Sequence, residues 1–300
     1  MSTPLIVVRP VTVTDSILVS TDVPETEYAA WNSGSTYNLT DRRIKAHKVW
    51  ESLQAANTNH DPETSPTWWI EVGPTNAWRL FDTSNSTSTA QAGSMSYVLD
   101  PGLGVNALAA LNVRGCNDVR VEVTHPTLGD LYDKTTSLAS LPSSSGWWEW
   151  YYGERTSPPL MVATDLPGIP GCEITVTFTG TSELSVGVLM VGEQTRIGIA
   201  VQQGARVGIT DYSRKETNDF GDTVLVRRAY AKRATFDVPI ESALVDDAVE
   251  LLAGLRATPC LWIGSSLYAS TVLFGFYKDF DVNLAYRTVS ECSLTIEGMT

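Results

Sequence analysis

The chain has 300 residues, 43% of them hydrophobic, and carries 21 lysines and arginines against 34 aspartates and glutamates, a net charge of −13. The apolar share excludes a chain disordered throughout, and the length points to two or three domains at roughly 100–200 residues each. The acidic balance argues against a nucleic-acid groove or an anionic membrane surface as partner, because both demand clustered cations, and no run approaches the ~20 apolar residues of a membrane helix.

The segment Met1 to Pro10 shows no basic stretch leading into an apolar one, so maturation in the cytosol is expected. In that reducing compartment Cys116, Cys172, Cys260 and Cys292 are expected to be free, buried small hydrophobes, with a Cys260–Cys292 bridge as the alternative. Residues 4–20 alternate β-branched and polar side chains, as in Val11-Thr12-Val13-Thr14, and read as one or two strands. Residues 1–23 are therefore expected to pair with a later domain. Residues 24–75 are rich in Trp, Tyr, Asn, Thr and Pro and poor in aliphatics. Such a stretch must build its core from rings, each burying roughly 150–250 Å², and reads as a small aromatic-cored β module.

Residues 76–195 return to short aliphatic bursts, such as Val119-Arg120-Val121-Glu122-Val123 and Ile174-Thr175-Val176-Thr177-Phe178, with turn residues between them. That spacing predicts a jelly-roll-like β-sandwich. The Thr83–Thr89 tract predicts an exposed loop. Gly102-Leu103-Gly104-Val105-Asn106-Ala107 mimics a dinucleotide fingerprint, but no βαβ units follow, so a loop and strand are expected there. In Trp147-Trp148-Glu149-Trp150-Tyr151-Tyr152, alternation places Trp148, Trp150 and Tyr152 on one face. That face is expected to meet a core, a domain or a subunit. The competing reading is a glycan-stacking strip with Glu149 as a glycosidase acid.

Residues 196–300 predict a C-terminal β-sheet domain with one helix, at about 241–256, where Leu244, Ala248, Leu251, Leu252 and Leu255 recur at helical spacing. The polar stretch Asp211–Asp222 leads into Arg227 and Arg228. It reads either as a solvated hairpin tip or as an arm reaching a neighbouring subunit, and both readings stand. His47, His60 and His125 have no paired spacing, so neither metal nor cofactor is expected. The fold class expected for the whole chain is mainly β.

The stretch Tyr28-Ala29-Ala30-Trp31-Asn32-Ser33-Gly34-Ser35-Thr36-Tyr37-Asn38-Leu39-Thr40-Asp41 carries a resemblance. It resembles the opening of the small carbohydrate-binding modules attached to bacterial chitinases, in which a Trp, a Tyr, a Gly-Asp pair and an apolar position precede an aromatic strand and a closing Trp. Trp31, Tyr37 and Asp41 match. Ile44 takes the apolar position, Trp50 the strand position, and Trp68 or Trp69 the closing one, while Thr40 replaces the glycine. Asp41 is expected to accept backbone N–H bonds in a turn. The resemblance implies carbohydrate contact through Trp31, Tyr37, Trp50, Trp68 and Trp69. The other reading is that these rings form the module's core, since residues 54–60 offer no ring except His60.

A broader resemblance follows from the order of parts: this module, then Gly73-Pro74-Thr75-Asn76-Ala77-Trp78-Arg79-Leu80-Phe81-Asp82, a sandwich, Phe274-Gly275-Phe276-Tyr277-Lys278-Asp279-Phe280 and the closing Cys292-Ser293-Leu294-Thr295-Ile296-Glu297-Gly298-Met299-Thr300. It is similar to tail-tip and baseplate structural proteins of tailed bacteriophages. That resemblance implies a non-enzymatic virion component, assembled in the host cytoplasm with other phage tail proteins and with copies of itself, in contact with host-surface glycan. Arg227 and Arg228, with the Trp148 strip, are the expected interface residues. A receptor whose main role is carbohydrate recognition is the alternative, and a polysaccharide-cleaving enzyme ranks behind it.

Overall fold

The computed structural model describes residues 4–82, 84, 86–138, 159–201, 205–217, 223–265, 268–284 and 287–299. The fold is mainly β, as expected, with one α-helix among the described residues. The chain divides into two compact units. One takes residues 1–11, 105–107 and 191–300; the other takes residues 12–104 and 108–190.

The first unit is organised by an antiparallel sheet. Strand β1 (Leu5–Pro10) lies between β15 (Val188–Ile197) and β20 (Cys260–Ile263), with Val7 opposite both Thr195 and Trp262. The order continues through β21 (Val272–Asn283), β22 (Val289–Gly298) and β19 (Tyr230–Glu241) to the edge strand β16 (Arg206–Asp211). Period-two patterning sets the buried face: Ala234, Phe236, Val238 and Ile240 on β19 lie inward beside Cys292, Leu294 and Ile296 on β22. The predicted helix is present as α1 (Val245–Gly254), entered through a 3-10 turn at Ser242–Leu244. Asp246 and Asp247 occupy its first turn, where they complement the helix dipole. Val245, Leu252 and Leu255 join the sheet's core around the fully buried Trp262, whose Nε1 donates to the Gly275 carbonyl at 3.1 Å.

The second unit holds the antiparallel sheet β12 (Gly129–Ser137), β11 (Arg114–His125), β14 (Glu173–Val186), β9 (Ser94–Leu99) and β2 (Leu18–Thr21), with β8 (Thr89–Ala90) added to β14. Val121 faces Val176, which faces Tyr97, so three strands supply one buried row. The residues after Gly104 form β10 (Ala107–Leu111), a wholly buried strand. It pairs with β13 (Leu160–Ala163). The two N-terminal strands part company: β1 lies in the first unit's sheet, whereas β2 pairs with β9 in the second. The aromatic segment and the strands after it share one unit, and ring contacts run from one into the other. Trp78 meets Phe81, Phe81 meets Tyr97, and the Tyr97 hydroxyl donates to the Ala77 carbonyl at 3.0 Å.

All four cysteines are free and buried, and burial pushes the thiols of Cys116, Cys260 and Cys292 up to about 11. Gly275 lies on β21 where any side chain would collide with the Glu297 carbonyl of β22. Gly275→Ala should therefore lower stability by about 1–3 kcal/mol. Gly208→Ala on the open edge strand β16 should stay within about 0.5 kcal/mol of the parent. Thermal and urea denaturation of the two variants make the comparison, and equal losses would contradict the crowding of β21.

Candidate functional site

The aromatic module is built from two small antiparallel sheets. Strand β3 (Thr36–Tyr37) pairs with β6 (Asn57–Thr58), and β4 (Arg42–Lys45), β5 (Lys48–Ser52) and β7 (Trp69–Pro74) form a three-stranded sheet. Tyr37, Trp50 and Trp69 are buried together, with Trp31 and Trp68 packed half-buried against them. Each buried ring's polar group finds a backbone partner. The Tyr37 hydroxyl accepts from Asn32 N–H at 2.7 Å and donates to the Asn32 carbonyl at 2.9 Å. Trp69 Nε1 donates to His60 O at 2.9 Å, and Trp50 Nε1 to Lys45 O at 3.2 Å. Tyr37 and Trp69 meet edge to face, 5.3 Å between centroids.

Cations and one imidazole cover the remaining faces. The Arg43 guanidinium lies 4.9 Å over Tyr37, and the Lys45 ammonium 4.9 Å over Trp31. Lys45 is paired with Asp61 and Glu63. The Asp61 bond holds Lys45 above its ordinary range and Asp61 below the usual carboxylate range. His60 stacks on Trp68 at 3.8 Å and 11° between planes. Of the two readings of these rings, burial decides for the core at Tyr37, Trp50 and Trp69: a ring without an exposed face has nothing to stack on a sugar. Trp31 and Trp68 each meet a cation or imidazole instead.

Turn geometry reports the same constraint. Asp41 Oδ2 accepts the Asn38 N–H at 2.8 Å, as expected. Thr40, standing where the resembling modules have glycine, adopts φ +71°, the left-handed conformation that glycine takes without cost. The two-residue β4–β5 connection, Ala46-His47, has positive φ at both positions, the requirement of a type I′ hairpin turn. His47 is fixed there by Glu25 Oε1 at 2.7 Å, and its ring lies against Trp78. Glu25 Oε2 in turn accepts from the Thr75 hydroxyl at 2.8 Å.

With the rings turned inward, the three-stranded sheet presents another surface. A cleft of about 400 Å³ is lined by Tyr28, Arg42, Val49, Val72, Gly73, Pro74, Arg79 and Ser86–Ser88. Tyr28 is 37% exposed, the Arg42 guanidinium lies 5.9 Å over its ring, and its hydroxyl accepts from Arg42 at 3.2 Å. Arg42 is held from its other side by Glu51 at 2.7 Å. Together the Tyr28 hydroxyl and the Glu51 carboxylate raise the Arg42 pKa. Arg79 has no acidic partner among the described residues. The Thr87 hydroxyl is oriented by Asp82 at 2.7 Å. The cleft thus combines a partly exposed phenol ring with Arg42 over it, an apolar floor of Val49, Val72 and Pro74, a second guanidinium at Arg79 and three hydroxyls, a donor set suited to a polyhydroxylated ligand. The sequence signals for it were the outward positions of β4, β5 and β7 and the hydroxyl-rich tract. That tract is only partly open, since Thr89 is buried and its hydroxyl donates to Asn76 O at 2.6 Å.

Among the expected interface residues, Trp148, Trp150 and Tyr152 lie outside the described residues, as does Glu149. Arg227 and Arg228 are exposed, directly after β18 (Thr223–Val226), which pairs with β17 (Arg214–Thr217). Among the described residues there is no cluster of three or more His, Cys, Asp or Glu able to hold a metal.

Neither a family model nor a curated protein matches the chain. Among solved structures it is similar in part to the crystal structure of chitosan-binding module 1 derived from a chitosanase/glucanase of Paenibacillus sp. IK-5. The TM-score is 0.26 and the identity 16%, over 39% of this chain and 84% of that one. At that score the likeness fixes neither fold nor ligand.

Two substitutions separate core from strain. Trp69→Ala should destabilise the second unit by about 3–5 kcal/mol. Thr40→Gly should stabilise it by about 1 kcal/mol by relieving the left-handed turn. Denaturation followed by circular dichroism reads both, and a destabilising Thr40→Gly would refute the strain assignment.

Proposed function

We propose that the chain is a non-enzymatic structural component of a bacteriophage tail tip or baseplate, and that its aromatic-cored module contacts surface glycan through the cleft beside Tyr28. The observation that carries the glycan part is the composition of that cleft: a partly exposed ring over an apolar floor, rimmed by guanidiniums and hydroxyls. Sugars offer C–H faces to rings and hydroxyls to donors, so the set is complementary to a pyranose. Arg42 and Arg79 favour neutral or acidic sugars over a polycationic glycan. The tail part is supported by the order of parts along the sequence, from the aromatic module to the closing strand. The receptor reading, in which carbohydrate recognition is the main role, rests on the same cleft.

Two experiments test the two parts separately. On a glycan array the full chain is expected to bind a subset of neutral or acidic bacterial saccharides. Tyr28→Ala or Arg79→Ala should weaken binding at least about tenfold, ~1.4 kcal/mol. Trp68→Phe should change it little. Loss with Trp68→Phe but not with Tyr28→Ala would return the site to the ring cluster. Gold-labelled antibodies against the chain should decorate the tail end of phage particles, whereas label along the capsid, or none on virions, would remove the tail assignment.

A further inference from the structure

The cleft beside Tyr28 holds one positive charge that the protein itself leaves uncompensated. Among the described residues of the second unit, Arg42, Lys45, Lys48, Arg120 and Lys134 each pair with a carboxylate, and Arg43 lies over Tyr37. Arg114 is exposed, so water solvates it. Arg79 is half-buried, yet no carboxylate, hydrogen-bond acceptor or ring meets its guanidinium among the described residues. A guanidinium carries five N–H donors, and withdrawing them from water without acceptors costs free energy. The backbone holds Arg79 in place: its N–H donates to Thr75 O at 3.0 Å and its carbonyl accepts from Asp82 N–H at 3.3 Å.

The neighbouring groups do not supply the missing charge. Arg42 donates to Glu51 at 2.7 Å and to the Tyr28 hydroxyl at 3.2 Å, so its charge is matched within the chain. No residue lining the cleft is acidic. Thr83 and Asn85, which flank the hydroxyl tract and lie outside the described residues, carry no charge. Asp82 is engaged by the Thr87 hydroxyl at 2.7 Å and the Ser84 N–H at 2.8 Å. With its proton on Asp82, the Thr87 hydroxyl offers a ligand only lone pairs, whereas the Ser88 hydroxyl has no partner among the described residues. The free groups of the cleft are therefore donors, the Arg79 fork and the Ser88 O–H. A neutral sugar hydroxyl brings an acceptor but no charge. An oxyanion brings both, and a guanidinium takes carboxylate or phosphate oxygens two at a time.

We propose that the ligand of this cleft is an acidic glycan, and that its oxyanion, a hexuronate carboxylate or a phosphate substituent, seats on Arg79 and accepts from the Ser88 hydroxyl. Arg79 is then the residue that sets specificity, while Tyr28 and the Val49–Val72 floor meet the sugar ring. The inference rests on the glycan reading of the cleft given above and narrows its ligand from neutral or acidic sugars to acidic ones.

The test is an array probed with the full chain. It carries hexuronate oligosaccharides, each beside its carboxyl-reduced counterpart, and phosphate-substituted oligosaccharides, each beside its dephosphorylated counterpart. The acidic member is expected to bind at least about tenfold more tightly in one of the two series, which names the source of the oxyanion. Arg79→Gln should bring the acidic member down to the level of its neutral counterpart. Arg79→Lys, which keeps the charge and loses the fork, should retain part of the preference. Val72→Ala, which thins the apolar floor, should weaken both members together and leave their ratio. Circular dichroism confirms that each variant is folded. Equal binding of acidic and neutral members in both series would overturn the proposal and leave the glycan reading standing, whereas binding of neither would remove both. A preference that survives Arg79→Gln, or that Val72→Ala abolishes as fully, would overturn the assignment to Arg79.

Discussion

A fifty-residue segment with few aliphatic side chains has to bury indoles and phenols, and the N–H and O–H groups of its fully buried rings then need partners. The rest of the second unit depends on that requirement. Backbone carbonyls of Asn32, Lys45 and His60 meet the Tyr37, Trp50 and Trp69 donors. Each bond fixes a loop that would otherwise have little to hold it. The Tyr37–Trp69 contact closes the two small sheets over each other, and the Trp78–Phe81–Tyr97 contacts carry the packing into the sheet formed by β9, β14 and β11. An unsatisfied buried donor costs about 1–3 kcal/mol, a cost avoided at Tyr37, Trp50 and Trp69 but met at Trp31, whose Nε1 is buried with no hydrogen-bond partner among the described residues.

Committing the rings inward leaves other side chains to line the opposite face of the three-stranded sheet. The inner face of the three-stranded sheet is spent on Trp50 and on the cations that cover Tyr37 and Trp31. The outer face keeps Tyr28, Arg42, Val49 and Val72, and the hydroxyl-bearing loop at Ser86–Ser88 completes a concave surface. The same sequence pattern that resembles a sugar-binding module thus yields a core from its most conspicuous aromatics. The cleft beside it is lined by less conspicuous neighbours.

The backbone records a cost for this economy of residues. Among the described non-glycine residues, Thr40, Ala46, His47, Ala56 and Asn59 all take positive φ within twenty positions of one another, and only Asn112 and Ala257 do so elsewhere. Side chains are retained at turns where glycine is the relaxed choice. At Ala46-His47 the reason is visible. His47 is held by Glu25 and lies against Trp78, so its ring joins the module to the residues that follow it. A glycine there would relax the turn and lose that joint.

Much of the architecture follows from the sequence alone. Alternation in β11, β14, β19 and β22 set which side chains are buried, because a two-residue period leaves no other choice once one face is covered. The 3.6-residue period placed α1, and the aliphatic-poor stretch from residue 24 to 75 required a ring-built core. Asp41 was legible as a turn acceptor. Tertiary structure decided what local pattern cannot. It put β1 and β2, close together in the chain, in different units, since their partners β15, β20 and β9 are remote in sequence. It made a hairpin at Ala46-His47, where no Asn-Gly signal exists. It assembled the cleft from Tyr28, Arg42, Val72, Arg79 and Ser86, residues that share no motif. Patterning fixes which way a side chain faces; only long-range packing fixes what stands opposite it.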